Sequence, residues 1–221
     1  MPTALKKTRS RGQRNDEKLF LVIVIALAVV SGLGSWLAAV ALSHHDQPRG
    51  FLPDKVRTLV EFTLTDETGR AVTRKELERK IVVVSFLFTS CSLTCPEVSK
   101  RMAEIQQFTA NADDVRLLSL TVDPRTDTPA VLAKWGARFG ADTNRWRFLT
   151  GEKPMLYGLI GTSFLAQDSS DPFNSMPGNF TGTERIAVVD AHGRTRIYFD
   201  GLRNDTPAAV VAEIAQLRRE P

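Results

Sequence analysis

Cysteine is almost absent from this chain of 221 residues, which holds only Cys91 and Cys95. Two are too few for a disulfide scaffold or for a four-cysteine zinc or iron–sulfur site. Histidine is nearly as scarce, with three. His44 and His45 are adjacent, and His192 stands alone far downstream, so no Ser-His-Asp arrangement is read. There is no Gly-rich phosphate loop, internal repeat or low-complexity tract. An excess of one charge is also missing from most of the chain. Residues 51–221 carry 22 Lys/Arg against 22 Asp/Glu, and the net +4 comes from residues 1–50, with 7 against 3. A nucleic-acid-binding domain carries a basic footprint on its own folded surface, so no nucleic-acid partner is expected. With 43% hydrophobic and 24% charged residues, a wholly disordered chain, a collagen-like repeat and a polytopic membrane protein are excluded.

One long hydrophobic run is present. Residues 19–43, LFLVIVIALAVVSGLGSWLAAVALS, carry no charge. At ~1.5 Å per residue they exceed the ~30 Å hydrocarbon core of a bilayer, and they show no polar face at a helical period. Trp36 lies where an interfacial anchor is expected. Residues 1–18 form a basic tail that precedes the run. The reading is therefore one transmembrane helix with a cytoplasmic N-terminus and a periplasmic or otherwise extracytoplasmic C-terminal domain. Ala39-Val40-Ala41 also fits a signal-peptidase site, but signal h-regions run only to ~15 residues. Residues 44–57 read as a juxtamembrane linker. His44 and His45 lie in it, and two ligands on a linker make a weak metal site.

The domain at 58–221 alternates strand-like and helix-like patterns. Strands are expected at 62–65, 81–88, 115–122 and 146–150, with a hairpin of 185–190 and 195–199. The runs IVVVSFLF and VRLLSLTV suit strands buried on both faces. Helices are expected at 96–108, 128–139, 153–160 and 207–218. Thr128 and Thr206 read as N-caps, Pro129 as a first-turn proline and Gly140 as a stop. Asp66-Glu67-Thr68-Gly69 reads as a turn. Trp135, Phe139, Trp146 and Phe148 are assigned to the core. Strand–helix–strand–helix followed by a hairpin and a helix is an α/β layout with a mixed sheet, and it matches the thioredoxin plan.

The chemistry concentrates in SFLFTSCSLTCPEVSK. Cys91 should precede a helix N-terminus, where unpaired N–H groups and the helix dipole lower a thiol pKa. Cys95 follows four residues later, so one helical turn can bring the sulfurs together. Outside the cytoplasm such a pair can cycle between dithiol and disulfide. A purely structural disulfide is the alternative, but it would close a very small loop and gain little. Glu97 lies in the first helical turn, where it complements the dipole and opposes a thiolate at Cys91. Asp123, Pro124, Asp127 and Thr128 form the loop after the second central strand. Asp127 there either tunes the thiols, contacts a partner, or caps the following helix with Thr128.

Three pieces carry a resemblance: EFTLTDETGRAV, FTSCSLTCPEVSKRM and LTVDPRTDTPAVLAKWGARFGADTNRWRFLTG. In order and spacing they resemble the SCO/SenC family of cytochrome oxidase assembly proteins over about residues 60–151, and more weakly to about 217. The resemblance implies a thioredoxin fold on the outer face of a membrane. It implies copper bound by two cysteines and a distant histidine, and a role in building the dinuclear copper site of oxidase subunit II. Cys91 and Cys95 match the family's copper-binding and redox cysteines. The histidine does not carry over: the family's spacing, counted back from Gly193, lands on Gly182. His192 falls in the hairpin turn instead. Met176, a thioether in the loop 167–183, is a low-ranked third ligand for Cu(I). Ordinary thioredoxin-like reductases place a cis-proline before the strand facing the cysteines. Here Thr183-Glu184-Arg185 holds that place and Pro177 is the nearest proline.

These readings point to a membrane-anchored protein acting through Cys91 and Cys95 in oxidase copper-site assembly. It would bind and deliver Cu(I), or exchange disulfides with Cys91 attacking and Cys95 resolving, on oxidase subunit II or another exported thiol or copper protein. The alternative is a thiol–disulfide oxidoreductase or redox sensor with no copper role.

Overall fold

The computed structural model describes residues 50–53, 56–164 and 184–220, and residues 49–221 group into one compact unit. Its centre is built from the two apolar runs. β4 (Ile81–Leu87) is buried at all seven positions, and β5 (Val115–Thr121) pairs with it in parallel from Ile81↔Val115 to Leu87↔Thr121. β6 (Trp146–Thr150) extends the sheet in parallel beyond β5. Parallel neighbours need long crossovers. These are supplied by α1 (Thr94–Phe108) between β4 and β5 and by α2 (Pro129–Arg138) between β5 and β6. On the other side of β4 lies β7 (Arg185–Val189), antiparallel, hairpinned to β8 (Arg194–Asp200).

Three further strands complete an eight-stranded mixed sheet in the order β1-β8-β7-β4-β5-β6-β2-β3. β1 is Arg57–Thr58, β2 Thr63–Asp66 and β3 Ala71–Thr73, followed by a 3-10 turn at Arg74–Leu77. Phe51 also bridges to Tyr198, beyond the end of β1. α3 (Lys153–Ser163) and α4 (Thr206–Leu217) are the remaining helices.

Side chains alternate across the central strands, as strand geometry requires. Val82, Val84, Phe86, Leu118 and Leu120 face α3 through Leu156, Leu159 and Ile160. Val83, Leu87, Val115 and Leu117 face α1, α2 and α4 through Val98, Met102, Leu132 and Ile214. Trp135, Trp146 and Phe148 are buried in this second layer and Phe139 packs on its edge. Ser85 breaks the apolar run of β4 without penalty because its hydroxyl pairs with Ser119 at 2.7 Å. The Trp146 indole donates to the same Ser119 oxygen at 2.9 Å. This is the mixed α/β sheet flanked by helices expected of the chain.

Several boundaries differ from the sequence reading. α1 starts at Thr94 rather than residue 96, because the Cys95 N–H already has a partner in the preceding loop. α3 runs on to Ser163 because its last turn is buried. Asp205, not Thr206, is the N-cap of α4. The Thr206 hydroxyl instead donates to the Asp200 carbonyl at 2.5 Å. Thr128 does occupy the N-cap position of α2 but makes no side-chain cap. Its carbonyl accepts from Val131 and Leu132. Among the described residues no helix is long and apolar enough to cross a membrane. The run 19–43, the basic tail before it and His44 and His45 lie outside the described residues.

Candidate functional site

β4 delivers the cysteine segment to the carboxyl end of the sheet. The last bond joining β4 and the β5 segment is Val122 N–H to the Leu87 carbonyl at 2.8 Å. The chain then turns, and the Cys91 N–H closes on the Phe88 carbonyl at 3.0 Å. Leu93, 79% exposed, is the N-cap residue of α1. Its side chain cannot accept a hydrogen bond, so the first-turn N–H groups are left for other acceptors. The Cys91 sulfur takes one of them: Cys95 N–H donates to Cys91 Sγ at 3.2 Å. Thr94 Oγ1 lies 3.2 Å from the same sulfur.

The two thiols are therefore unequal. Burial pushes the Cys91 pKa up, but hydrogen bonds from the Cys95 thiol, the Thr94 hydroxyl and backbone N–H groups outweigh it and hold the thiol below its ordinary value. Cys95 is fully buried, packed with Val98 and Met102. Burial first, and then its bond to Cys91, push its pKa up to about 12. Both cysteines are free, so the structure is that of the dithiol. A partly exposed low-pKa thiol beside a buried high-pKa thiol is the division of labour of an attacking and a resolving cysteine.

The loop after β5 meets this segment from the side. Asp127 is fully buried. Its carboxylate does not cap α2. It accepts the Thr89 N–H at 3.2 Å, the Thr89 hydroxyl at 2.5 Å and the Thr121 hydroxyl. The Thr121 oxygen in turn accepts the Asp123 N–H at 2.9 Å. Glu97 is half-buried and paired with Lys100 at 2.6 Å, which lowers its pKa.

His192 is at the opposite pole. β7 runs antiparallel to β4 with Val189 opposite Val82, so the turn after β7 lies where β4 begins. Seven strand residues, on the order of 20 Å, separate it from the cysteines. It is exposed in the hairpin turn, as its sequence position suggested. Glu184 and Arg185 stand at the cysteine pole, at the head of β7. Among the described residues there is no cis peptide bond. Met176, Pro177, Gly182 and Thr183 lie outside the described residues. Among the described residues no group of three His, Cys, Asp or Glu side chains could hold a metal.

The family model for SCO1/SenC matches residues 52–219. The chain belongs to the SCO1/SenC family. An SCO1 protein homolog of Bacillus subtilis is 34% identical over 91 residues, 41% of this chain and 47% of that relative. The match thus spans about half the relative's length. Bradyrhizobium japonicum ScoI with copper bound is 26% identical, with TM-score 0.55, covering 73% of this chain and 98% of that one. BsSco, described as carrying a disulfide switch and as a member of the Sco family of cytochrome c oxidase assembly proteins, has TM-score 0.63. It is 22% identical and covers 77% of this chain and 99% of that one.

In this SCO1/SenC chain two contacts of the cysteine segment escaped the sequence reading. Thr94 has no signature beyond its place between the cysteines, and Thr89 reads as an ordinary residue after a strand. Their roles follow from where the loop brings their hydroxyls. Among the described residues the donors at the site are two sulfurs, and that set fits soft Cu(I), which accepts few ligands, better than Cu(II), which seeks further nitrogen ligands.

Proposed function

We propose that this SCO1/SenC protein acts through Cys91 and Cys95 in assembling the copper site of a respiratory oxidase, on subunit II or another exported thiol or copper protein. The domain works outside the cytoplasm, held by the span at 19–43. The observation that carries this reading is the unequal thiol pair at the head of α1: Cys91 accepting the Cys95 N–H at 3.2 Å, and Cys95 fully buried with its pKa about 12. The related structures described as copper-bound and as having a disulfide switch support copper and thiol chemistry as the two candidate activities.

The pair supports two activities. As a chaperone it holds Cu(I) as cargo between two thiolates and gives it to a softer or better-chelating acceptor. As a reductant it works by exchange. The Cys91 thiolate attacks one sulfur of a partner disulfide, a mixed disulfide forms, and the other partner sulfur leaves as thiolate. Cys95 then loses its proton and attacks Cys91. Two electrons pass to the partner, which ends as a dithiol, while this chain ends as the Cys91–Cys95 disulfide. The remote position of His192 favours exchange, since copper would have two sulfurs and no histidine from the described residues.

Anaerobic titration of the reduced protein with Cu(I) against a competing chelator tests the copper branch. One-to-one binding, lost in Cys91→Ser and in Cys95→Ser, supports it. Failure to compete with the chelator removes it. The exchange branch is tested by equilibration with glutathione buffers. A potential below roughly −300 mV would make the disulfide an inert structural bond.

A further inference from the structure

We infer that Asp127 is a positioning residue for the cysteine pair, setting the place of Cys91 through Thr89. This rests on the reading that Cys91 and Cys95 are the working site. A fully buried carboxylate is costly unless hydrogen-bonded, and the Asp127 carboxylate is met by hydrogen-bond donors from two threonines. The donors are the Thr89 N–H, the Thr89 hydroxyl and the Thr121 hydroxyl. They come from two different chain segments, the loop after β4 and the end of β5. An apolar residue there would leave the Thr89 and Thr121 donors without an acceptor, so the carboxylate is what holds the two segments together.

What it orients is the turn carrying the attacking thiol. Thr89 is the first central residue of the Phe88–Cys91 turn, whose closing bond is the Cys91 N–H to the Phe88 carbonyl at 3.0 Å. With the Thr89 N–H and hydroxyl both fixed on one carboxylate, the turn cannot rotate independently of β5. The carboxylate is itself fixed: the Asp127 N–H donates to the Asp123 carbonyl at 2.9 Å, and the Asp123 N–H is held by the Thr121 hydroxyl. The Cys91 sulfur meets the Cys95 N–H only while the turn stays there.

Pre-organisation has a direction. The disulfide ties the loop to α1 whether or not the brace exists. In the dithiol a hydrogen bond from the Cys95 N–H and the Thr94 contact replace that covalent tie, so more of the loop's placement falls to the brace. Releasing the loop therefore frees the dithiol more than the disulfide, and closing the disulfide then costs more ordering.

The test uses the full chain in detergent micelles. The variants are Asp127→Asn, Thr89→Val and the double variant. The readouts are the dithiol–disulfide equilibrium against glutathione, the pH profile of Cys91 alkylation, and the melting temperature. In Asp127→Asn the equilibrium is expected to move toward the dithiol by about fivefold, ~20 mV at 29.6 mV per tenfold. The alkylation midpoint should move to higher pH. Thr89→Val keeps its N–H bond and should move both in the same direction by less. The double variant should fall short of the sum, because both changes cut one link. A lower melting temperature with wild-type equilibrium and profile would make Asp127 a fold residue only and overturn the inference. If Asp127→Asn does not fold, unchanged values in Thr89→Val overturn it equally. A wild-type pair that neither cycles nor binds Cu(I) is a failure of the proposed function instead, and the alkylation profile still reads the brace.

Discussion

The inequality of the two thiols can be tested without any partner. Limited alkylation of the reduced protein with iodoacetamide at pH 8 should label Cys91 and spare Cys95. The Cys91 pKa lies below the ordinary 9.0, so at least about a tenth of it is thiolate at that pH. With a pKa of about 12, Cys95 is thiolate in ~1 part in 10,000. The populations therefore differ by ~1,000-fold. Nucleophilicity works the other way. A Brønsted slope of ~0.4–0.5 over three pKa units gives the rarer thiolate back a factor of roughly 20–30. The net preference is on the order of 50-fold for Cys91, before steric access is counted. Access adds to it, since Cys95 is fully buried. Peptide mapping by mass spectrometry at low conversion reads the ratio directly. Equal labelling, or faster labelling of Cys95, would refute both the burial argument for Cys95 and the helix-terminus argument for Cys91.

Further outcomes follow from the packing and charges. Met102 is completely buried on the inner face of the cysteine helix, so Met102→Ala should cost ~2–5 kcal/mol in urea unfolding. Asp190 is buried, which raises its pKa, but N–H groups of Arg194 and His192 and the side chains of Arg194 and Arg196 lower it further than burial lifts it. Its folded pKa is thus below its unfolded one. Its stabilisation is complete above about pH 4 and is lost as pH falls through the folded value. The Asp190→Asn urea midpoint should accordingly depend less steeply on pH below 4 than the wild type's. Changing His192 to Ala should leave Cu(I) affinity within twofold of wild type by chelator competition, because the turn lies at the far pole.

The parts of the fold legible in the sequence are those whose burial is continuous or periodic. The runs at β4, β5 and β6 announce buried strands, α1 shows its apolar spacing, and α2 is bracketed by Pro129 and Gly140. The elements left unread are short or depend on distant partners. β1 is two residues long and exists because Arg57 and Thr58 meet Thr195 and Arg194. β3 is three residues long and owes its pairing to a turn. In that turn the buried Asp66 carboxylate accepts the Thr68 and Arg70 N–H groups at 2.9 Å, and Gly69 adopts φ 84°. At the site, the cysteine spacing carried the essential message, since four residues across a helix start nearly dictate a sulfur-to-N–H contact. The partner of Asp127 did not show, because Thr89 is 38 residues away. A loop aspartate before a helix looks locally like a cap whether or not a distant donor has claimed it.

The carboxylate beside the start of α2 is thereby withheld from a helix end that has no side-chain cap. Thr128 holds the N-cap position but makes no cap, and Asp127 turns inward to the cysteine loop. A missing cap costs about 1 kcal/mol. The same economy appears at α1, where Leu93 stands at the N-cap and contributes no acceptor. There the vacated N–H is taken by Cys91 Sγ. A Ser, Thr, Asp or Asn at position 93 would compete for it and for the dipole's positive end, so the absence of a good cap is what leaves the helix terminus to the thiol. Both helices thus give up local stability at the ends nearest the cysteines, and in each case the group released serves the Cys91 turn. Sites that violate local preference at a shared point are where function is expected to have imposed it.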